Sequence, residues 1–116
     1  MTRATTFLLA CAVAALAAPP AVAGGAPQHK TVLVQDNFYA PLKLTVNRGS
    51  TITWRWPDDA GDVHDVKLGA HPKGARPFHS QPGAAGYSFA RRLTVPGTYK
   101  IVCTIHPGMA MTLKVR

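Results

Sequence analysis

Apolar and polar residues alternate along most of the chain after residue 30, with the period of two that is typical of half-buried β-strands. The alternation predicts seven short strands, over residues 31–35, 42–46, 51–56, 63–68, 87–95, 98–103 and 111–116. Residues 69–86 contain four Gly and three Pro without a sustained period, which predicts a loop. No helical period longer than two turns occurs, so the pattern predicts an all-β domain folded as a β-sandwich.

The first 23 residues have the pattern of a secretory signal peptide. Arg3 supplies a positive charge, residues 7–18 form an apolar run, and Ala21-Val22-Ala23 offers a cleavage site of the A-x-A type. Twelve apolar residues are fewer than the roughly 20 that span a bilayer, and an uncleaved anchor is the alternative. We therefore expect export, to the periplasm or to the extracellular side of the cell envelope.

Removal of residues 1–23 would leave a Gly/Pro/Ala-rich leader over residues 24–30, expected to be flexible, and one domain over residues 31–116. It would also remove Cys11 and leave Cys103 without a partner for an intramolecular disulfide. Exported proteins meet oxidising conditions, so a lone cysteine needs an explanation. Three are available from the residue type alone: an inert buried thiol, an intermolecular disulfide, or a metal ligand.

The chain is basic, with 13 Lys and Arg against five acidic residues, and it has a formal net charge of +8. Loss of Arg3 with the signal peptide would leave +7. Such a charge favours acidic protein partners or an anionic envelope surface, and ordinary solvated surface charge explains it equally well. The basic residues are scattered apart from Arg91-Arg92. We therefore expect no stable membrane insertion, and export makes a nucleic-acid partner unexpected.

The residues that could carry chemistry are concentrated between the last two predicted strands. A thiolate, an imidazole and a thioether occur there within seven residues, at Cys103, His106 and Met109. Thiolate and thioether are soft ligands, and two His with one Cys and a weak axial Met form the trigonal site of blue copper proteins. The segment therefore indicates copper, but it lacks one His, which must come from elsewhere in the chain.

The sequence contains five His residues, and four of them lie outside this segment. His29 lies in the predicted leader, and His71 and His79 lie in the Gly/Pro-rich loop, where a solvated side chain is the ordinary expectation. Only His64 adjoins a predicted strand that could hold it rigidly. The predicted metal ligands are therefore His64, Cys103, His106 and Met109.

The combination Cys103-x-x-His106-x-x-Met109 with an upstream His64-Asp65-Val66 resembles the small blue copper proteins, the cupredoxins, and especially their amicyanin and plastocyanin-like members. Further similar segments, at residues 36–41, 46–50 and 96–99, extend the resemblance over nearly the whole chain after the leader. It implies an eight-stranded Greek-key β-sandwich with one mononuclear type 1 copper site. It also implies one-electron transfer between Cu(I) and Cu(II), with His106 near the surface as the electron port.

The resemblance also implies which Met is the axial ligand. In these relatives the axial Met is followed by the pattern x-Gly-x-apolar-x-Val, which fits after Met109 if Met111 takes the place of the Gly. We therefore expect Met109 to be the ligand and Met111 to pack against the core. One departure is Asp65, where many relatives have an Asn that ties the two ligand-bearing loops together. An ionised Asp accepts hydrogen bonds but cannot donate them, which bears on loop rigidity and on the redox potential.

The expected function is that of an exported, monomeric electron carrier that exchanges single electrons with redox partner proteins, among which charge favours acidic ones. A closed site with four ligands leaves no position for a substrate, so we expect no enzymatic activity. The alternative is a copper carrier or delivery protein without an electron-transfer role, which the small number of Met residues argues against. A metal-free interaction domain would leave the four ligands unexplained, and a second metal site would have to use His71 or His79.

Overall fold

The computed structural model describes residues 11–15 and 25–116 of the chain. The predicted signal peptide, residues 1–23, lies outside the described residues except for 11–15, so it stays a prediction. Within the described ranges, no helix is long and apolar enough to cross a membrane.

Eight strands form two four-stranded sheets that enclose one apolar core. In chain order the strands are β1 His29–Gln35, β2 Phe38–Ala40, β3 Lys43–Val46, β4 Ser50–Arg55, β5 Lys67–Leu68, β6 Ser88–Leu93, β7 Gly97–Val102 and β8 Ala110–Val115. One sheet has the order β2-β1-β4-β6 and the other the order β3-β8-β7-β5. Both sheets are mixed, because β1 pairs in parallel with β4 and β3 pairs in parallel with β8. The predicted all-β sandwich is confirmed.

The core is filled by the inward-facing residues of both sheets. Ile52, Trp54 and Trp56 lie on one face, as the alternation predicts, and all three are fully buried. The opposite layer comes from β7 and β8, with Tyr99, Ile101, Met111, Leu113 and Val115. Burying one large apolar side chain stabilises the fold by about 1.5–3 kcal/mol before the entropy of ordering it is subtracted. This double layer holds the strands whose ends carry the predicted ligands.

The beginning of the domain differs from the predicted strands. β1 starts at His29, two residues before the predicted start, so the end of the predicted leader belongs to the sheet. Gln28 is tied to the turn before β4, because its N–H donates to Ser50 Oγ at 2.8 Å and its side-chain oxygen accepts from the Asn47 N–H at 3.1 Å. β2 has only three residues, too few to show a period in the sequence. Hydrogen bonds rather than apolar alternation define both features.

The predicted strand over residues 63–68 is reduced to β5, which has only two residues. His64, Asp65 and Val66 are buried one after another, which a half-buried strand with a period of two does not allow. The chain therefore runs outside the regular sheet at the predicted ligand His64.

Three chain segments meet at one end of the sandwich, which we call the site end. The Asp62 N–H donates to Oδ1 of Asp36, just after β1, at 3.0 Å. The Thr104 N–H, just after β7, donates to Oδ1 of Asp65 at 2.7 Å. The turn after β1, the segment before β5 and the loop between β7 and β8 therefore lie together.

Candidate metal centre

Three of the four predicted ligands lie together at the site end. One ring nitrogen each of His64 and His106 and the Sγ atom of Cys103 are all within 4.8 Å of one another. His64 and Cys103 are buried, whereas His106 is partly exposed. No other group of three or more metal-ligating His, Cys, Asp or Glu side chains occurs among the described residues.

Met109, the fourth predicted ligand, is buried and is joined to two of the others through the backbone. Its carbonyl accepts from the Cys103 N–H at 3.0 Å, and its own N–H donates to the His106 carbonyl at 3.2 Å. Pro107 and Gly108 lie between, and Gly108 has a φ of 84°. Pro followed by a Gly with positive φ is the signature of a type II turn. The sequence of this loop thus accounts for the turn that holds Met109 beside Cys103 and His106.

Two backbone hydrogen bonds hold His64 in place outside the sheets. Its N–H donates to the Gly83 carbonyl at 3.0 Å, and its carbonyl accepts from the Gly83 N–H at 2.8 Å. A Cβ atom on Gly83 would lie 2.1 Å from a ring carbon of Tyr87. Only glycine therefore fits opposite His64 without moving the backbone or the Tyr87 ring.

The two ring nitrogens of His64 have different surroundings. Nε2 lies 3.1 Å from Oδ1 of Asp36, whereas Nδ1 is buried and has no hydrogen-bond partner in the described part of the chain. Because a carboxylate only accepts, this pair places the proton on Nε2 and leaves the lone pair of Nδ1 free. An unpaired buried nitrogen is costly, and a metal ion bound at Nδ1 would remove that cost.

Asp36 faces His64 in its ionised, carboxylate form. The hydrogen bond from the Asp62 N–H, followed by the one with His64, lowers the pKa of the Asp36 carboxyl below its ordinary value. The carboxylate form is therefore the one that faces His64 near neutral pH. A carboxylate on the far nitrogen of a metal-binding His is a common device for fixing the orientation of the ring.

Asp65 connects the two ligand-bearing segments from a buried position. Its Oδ1 accepts from the Thr104 N–H, and its Oδ2 accepts from the Thr104 hydroxyl and from Nε2 of His79, the latter at 2.7 Å. Burial raises the pKa of the Asp65 carboxyl, but the hydrogen bonds from His79 and Thr104 outweigh burial and hold the pKa below its ordinary value. The loops are thus tied together with Asp65 acting only as an acceptor.

Two residues next to the centre have no signal in the sequence. Asp36 is 28 residues away from His64, and His79 is 14 residues away from Asp65, in a loop where a solvated side chain is expected. His79 is 47% exposed but is nevertheless paired with Asp65. His71 is exposed, and its Nδ1 lies 2.9 Å from the neighbouring Pro72 carbonyl. Neither His71 nor His79 belongs to a second metal-ligating group in the described ranges.

The spacing of the donor atoms fits a single metal ion. A thiolate sulfur binds zinc at about 2.3 Å and an imidazole nitrogen at about 2.0 Å, so both atoms on one such ion lie at most about 4.3 Å apart. Cys103 Sγ and His106 Nδ1 are 4.0 Å apart, within this limit, and the donor atom of His64 lies within 4.8 Å of both. Two imidazoles and a thiolate, with a thioether in the same loop, are the donor set of trigonal copper sites.

The sequence has clear relatives. A family model for copper binding proteins, the plastocyanin/azurin family, matches residues 29–116. The chain is 36% identical over 113 residues to the chloroplastic plastocyanin of Oryza sativa subsp. indica, an alignment that covers 90% of this chain and 72% of that protein.

Solved structures with the same architecture lead to the same family. A reduced Cu(I) form of an amicyanin variant is 27% identical with a TM-score of 0.65, covering 82% of this chain and 86% of that one. A Cu-containing nitrite reductase from Thermus scotoductus SA-01 is 27% identical with a TM-score of 0.66 over 85% of this chain, which spans only 25% of that enzyme. The predicted cupredoxin resemblance and the predicted copper cofactor are confirmed, and the chain belongs to the plastocyanin/azurin family of copper-binding proteins.

Proposed function

We propose that this protein is an exported one-electron carrier whose copper ion is held by His64, Cys103, His106 and Met109. One observation carries the proposal: the donor atoms of two His and one Cys lie within 4.8 Å, and the buried Nδ1 of His64 has no partner among the described residues. A fold that leaves this nitrogen unpaired is stabilised by an ion that binds it. The four side chains together match a type 1 copper site.

Copper in such a site supplies one-electron redox chemistry between Cu(I) and Cu(II). The protein keeps the ligands in nearly fixed positions, because ligand movement during transfer would slow the exchange. His64 is held by Gly83 at its backbone and by Asp36 at its ring. The Cys103 N–H is bonded to the Met109 carbonyl, so the two sulfur ligands share one backbone hydrogen bond.

His106 is the proposed port for the electron. It is the one predicted ligand that reaches the surface, since the other three are buried. Its neighbours Ile105, Pro107 and Gly108 are exposed and carry no charge. An uncharged rim lets a partner approach the port closely without desolvating charged groups.

We propose no enzymatic activity. Oxidase or reductase chemistry would need an open coordination position or a second metal site, and four ligands would fill both the trigonal and the axial positions of this one. The described residues contain one metal-ligating group. The similarity to the nitrite reductase extends over a quarter of that enzyme and so does not transfer its activity to this chain.

The absorption spectrum of the copper-loaded protein tests the ligand assignment. Thiolate coordination should produce an intense thiolate-to-Cu(II) charge-transfer band, and Cys103→Ser should abolish it. Thr98→Ser is a control on β7, the strand that leads to Cys103, because Thr98 is exposed and lies at the far end of that strand. A spectrum that is unchanged in Cys103→Ser would overturn the blue-copper assignment.

Electron exchange separates the proposed carrier from a copper delivery protein. The copper-loaded protein should exchange electrons rapidly with a soluble redox protein and should keep its copper when it is mixed with a copper-free acceptor protein. Exchange that is undetectably slow, together with rapid transfer of copper to the acceptor, would favour the delivery function instead.

Export and monomeric state are parts of the proposal with their own measurements. The net positive charge remaining after loss of Arg3 opposes self-association and favours acidic redox partners. The mass of the exported protein should correspond to cleavage after Ala23. Sedimentation should give a single species with the mass of one chain.

A further inference from the structure

Arg91 occupies an inward-facing position of an edge strand. It lies in β6 between Phe89 and Leu93 at a spacing of two, and both of those residues are buried. Its partner across the sheet is Ile52, a fully buried residue on the inner face of β4. Arg91 is nevertheless exposed, because β6 is the last strand of its sheet and the sandwich opens there. An apolar residue is the ordinary choice on an inner face, whereas an inward-pointing charge at an edge strand also discourages pairing with another chain.

The opening beside Arg91 is a cavity of about 290 Å³. Its walls include Phe78 and Tyr99, and three arginines line it: Arg76, Arg91 and Arg92. No acidic side chain is among the lining residues. Like charges around one cavity without a counter-charge repel one another, so an anion placed among them lowers the free energy of the site.

The orientations of two of these guanidinium groups are fixed by the protein. Arg91 Nη1 donates to the Ala90 carbonyl at 2.7 Å, and its Cζ lies 4.2 Å from the centroid of the Phe89 ring. Arg92 Nε donates to the Gly49 carbonyl at 3.1 Å. Arg92 follows the inward-facing Arg91 in the strand, so its side chain lies on the other face, at Gly49, which does not line the cavity. Arg91 has five N–H donors, most of which are left for a ligand in the cavity. A guanidinium that is already oriented loses less entropy when it binds.

The acidic residues of the chain lie elsewhere. All five are Asp36, Asp58, Asp59, Asp62 and Asp65, in the turn after β1 and in the segment that follows β4. No ion pair between an arginine and a carboxylate occurs in the described ranges. The three cavity arginines are therefore free of internal counter-charges in that part of the chain.

We propose that this cavity binds a small oxyanion, one bearing phosphate or carboxylate groups. The planar guanidinium fork matches both groups through paired N–H···O hydrogen bonds. A volume near 300 Å³ is at the lower end for ligand pockets and suits a small anion rather than part of a partner protein. Tyr99, which lines the cavity, lies on β7 four residues before Cys103, a distance of about 13 Å along the extended chain. The site is thus separate from the copper centre and does not depend on the proposed electron transfer.

The test uses the reduced, copper-loaded protein, which is diamagnetic and suits NMR. Inorganic phosphate and citrate are each titrated in at constant ionic strength, with sodium chloride as the balancing salt. Saturable chemical-shift changes should appear at the backbone amides of Gly74, Ala75, Thr94 and Val95, which line the cavity. Arg91→Gln should weaken binding at least tenfold. Arg76→Gln should also weaken it, and Arg76 makes no side-chain hydrogen bond within the described ranges that its loss could disturb.

Arg55→Gln is the matched control. Arg55 is exposed at the end of β4, outside the cavity, and its replacement removes the same charge. Binding to this variant should change less than twofold. Shifts that do not saturate, or an equal loss of affinity in Arg55→Gln and Arg91→Gln, would overturn the proposal in favour of diffuse attraction to a basic protein.

Discussion

Nε2 of His64 lies 3.1 Å from Oδ1 of Asp36, a residue that precedes it by 28 positions and directly follows β1. The imidazole is fully buried and the carboxylate is partly exposed. Because the carboxylate accepts the Nε2 proton, the buried Nδ1 is the atom available to copper. Such a carboxylate also raises the basicity of the ligand. Asp36 is therefore expected to support the proposed copper site without being a ligand.

Replacing Asp36 with Ala should weaken copper binding about ten- to hundredfold, the usual range when the partner of a metal-binding His is lost. The affinity can be measured by competition with a chelator of known strength. Asp59→Ala is the matched control, since Asp59 is exposed and its loss removes the same charge. Equal affinities in the two variants would contradict a role for Asp36 in the site.

Asp65 should make the copper-free fold sensitive to acid. Its pKa lies below the ordinary value of 3.8, because the hydrogen bonds to the carboxylate outweigh the effect of burial. The folded state therefore favours the carboxylate more than the unfolded state does. This contribution to stability is present above the unfolded pKa and is lost as the pH falls through the lower, folded pKa. Denaturant unfolding should show stability falling below about pH 4.

The variant Asp65→Asn isolates this effect, because an amide still accepts from the Thr104 N–H but does not titrate. The difference in the free energy of unfolding between the two proteins should shrink as the pH falls below about 4. A difference that is the same at all pH values would show that the Asp65 carboxylate does not contribute in this way.

Much of the fold and most of the proposed ligands have local signals in the sequence. Every second side chain of a pleated strand points to the same side, so the alternation of Ile52, Trp54 and Trp56 predicts the inner face of β4. Two sulfur donors and one imidazole lie within seven consecutive residues, and the choice of Met109 over Met111 rests on the resemblance to cupredoxins. His64 is identified because it adjoins an apolar strand-like segment, and the other His residues outside the ligand loop do not.

The supporting contacts have no local signal. Asp36 and His79 belong to exposed segments, and their partners become neighbours only when the loops fold together. The predicted strand around His64 is wrong for a related reason. The paired hydrogen bonds with Gly83 draw this segment toward the loop 69–86 rather than along the sheet. Contacts of this kind depend on tertiary structure, which apolar alternation does not encode.

Gly83→Ala should destabilise the fold and also weaken copper binding. The added methyl group would lie 2.1 Å from a ring carbon of Tyr87. The Tyr87 ring packs against Trp56, with 4.8 Å between the ring centroids, so it cannot move away freely. Forcing an extra methyl group into a packed region typically costs about 1–3 kcal/mol. The shift should reach His64 through its two hydrogen bonds with Gly83. Thermal unfolding and copper competition measure the two effects.

Gly74→Ala is the control for this substitution. A Cβ atom on Gly74 would meet nothing within 4 Å, although Gly74, unlike Gly83, has a positive φ, of 88°. It should cost only the backbone strain of an alanine with positive φ, about 1–2 kcal/mol, and should leave the copper affinity unchanged. If the copper affinity of Gly83→Ala is also unchanged, the hydrogen bonds between Gly83 and His64 do not contribute to copper binding.

Substitutions at the two neighbouring Met residues should have different consequences. Both are buried, but Met109 shares backbone hydrogen bonds with Cys103 and His106, whereas Met111 pairs with Ile101 inside the sheet. Met109→Gln should shift the spectrum and the reduction potential, because the identity of the axial ligand tunes both. Met111→Leu should change stability by less than about 1.5 kcal/mol and leave the spectrum unchanged. The reverse ranking would reassign the axial ligand.

Electron exchange with an acidic redox protein should depend on the charge beside His106. Pro107 is exposed at the rim of the port, and the variants Pro107→Lys and Pro107→Glu change its size similarly and its charge oppositely. Both should slow exchange by holding the partner away from His106, and the Glu variant should be the slower because it repels an acidic partner. Stopped-flow absorption at the copper band measures the rates, and copper content should be the same in both.

Ionic strength separates steering by charge from contact at the port. The Debye length falls from about 30 Å at 0.01 M salt to about 8 Å at 0.15 M, so the attraction between this basic protein and an acidic partner should weaken across that range. Charge acts mainly on the rate of encounter, so the wild-type exchange rate should fall and the Lys and Glu variants of Pro107 should converge. An uncharged quinone is the control, since its reaction should not depend on salt. Two outcomes would contradict exchange through an electrostatically steered contact at His106. One is an equal effect of salt on the rates with the acidic protein and with the quinone. The other is a ratio of the exchange rates of the two Pro107 variants that stays the same at all salt concentrations.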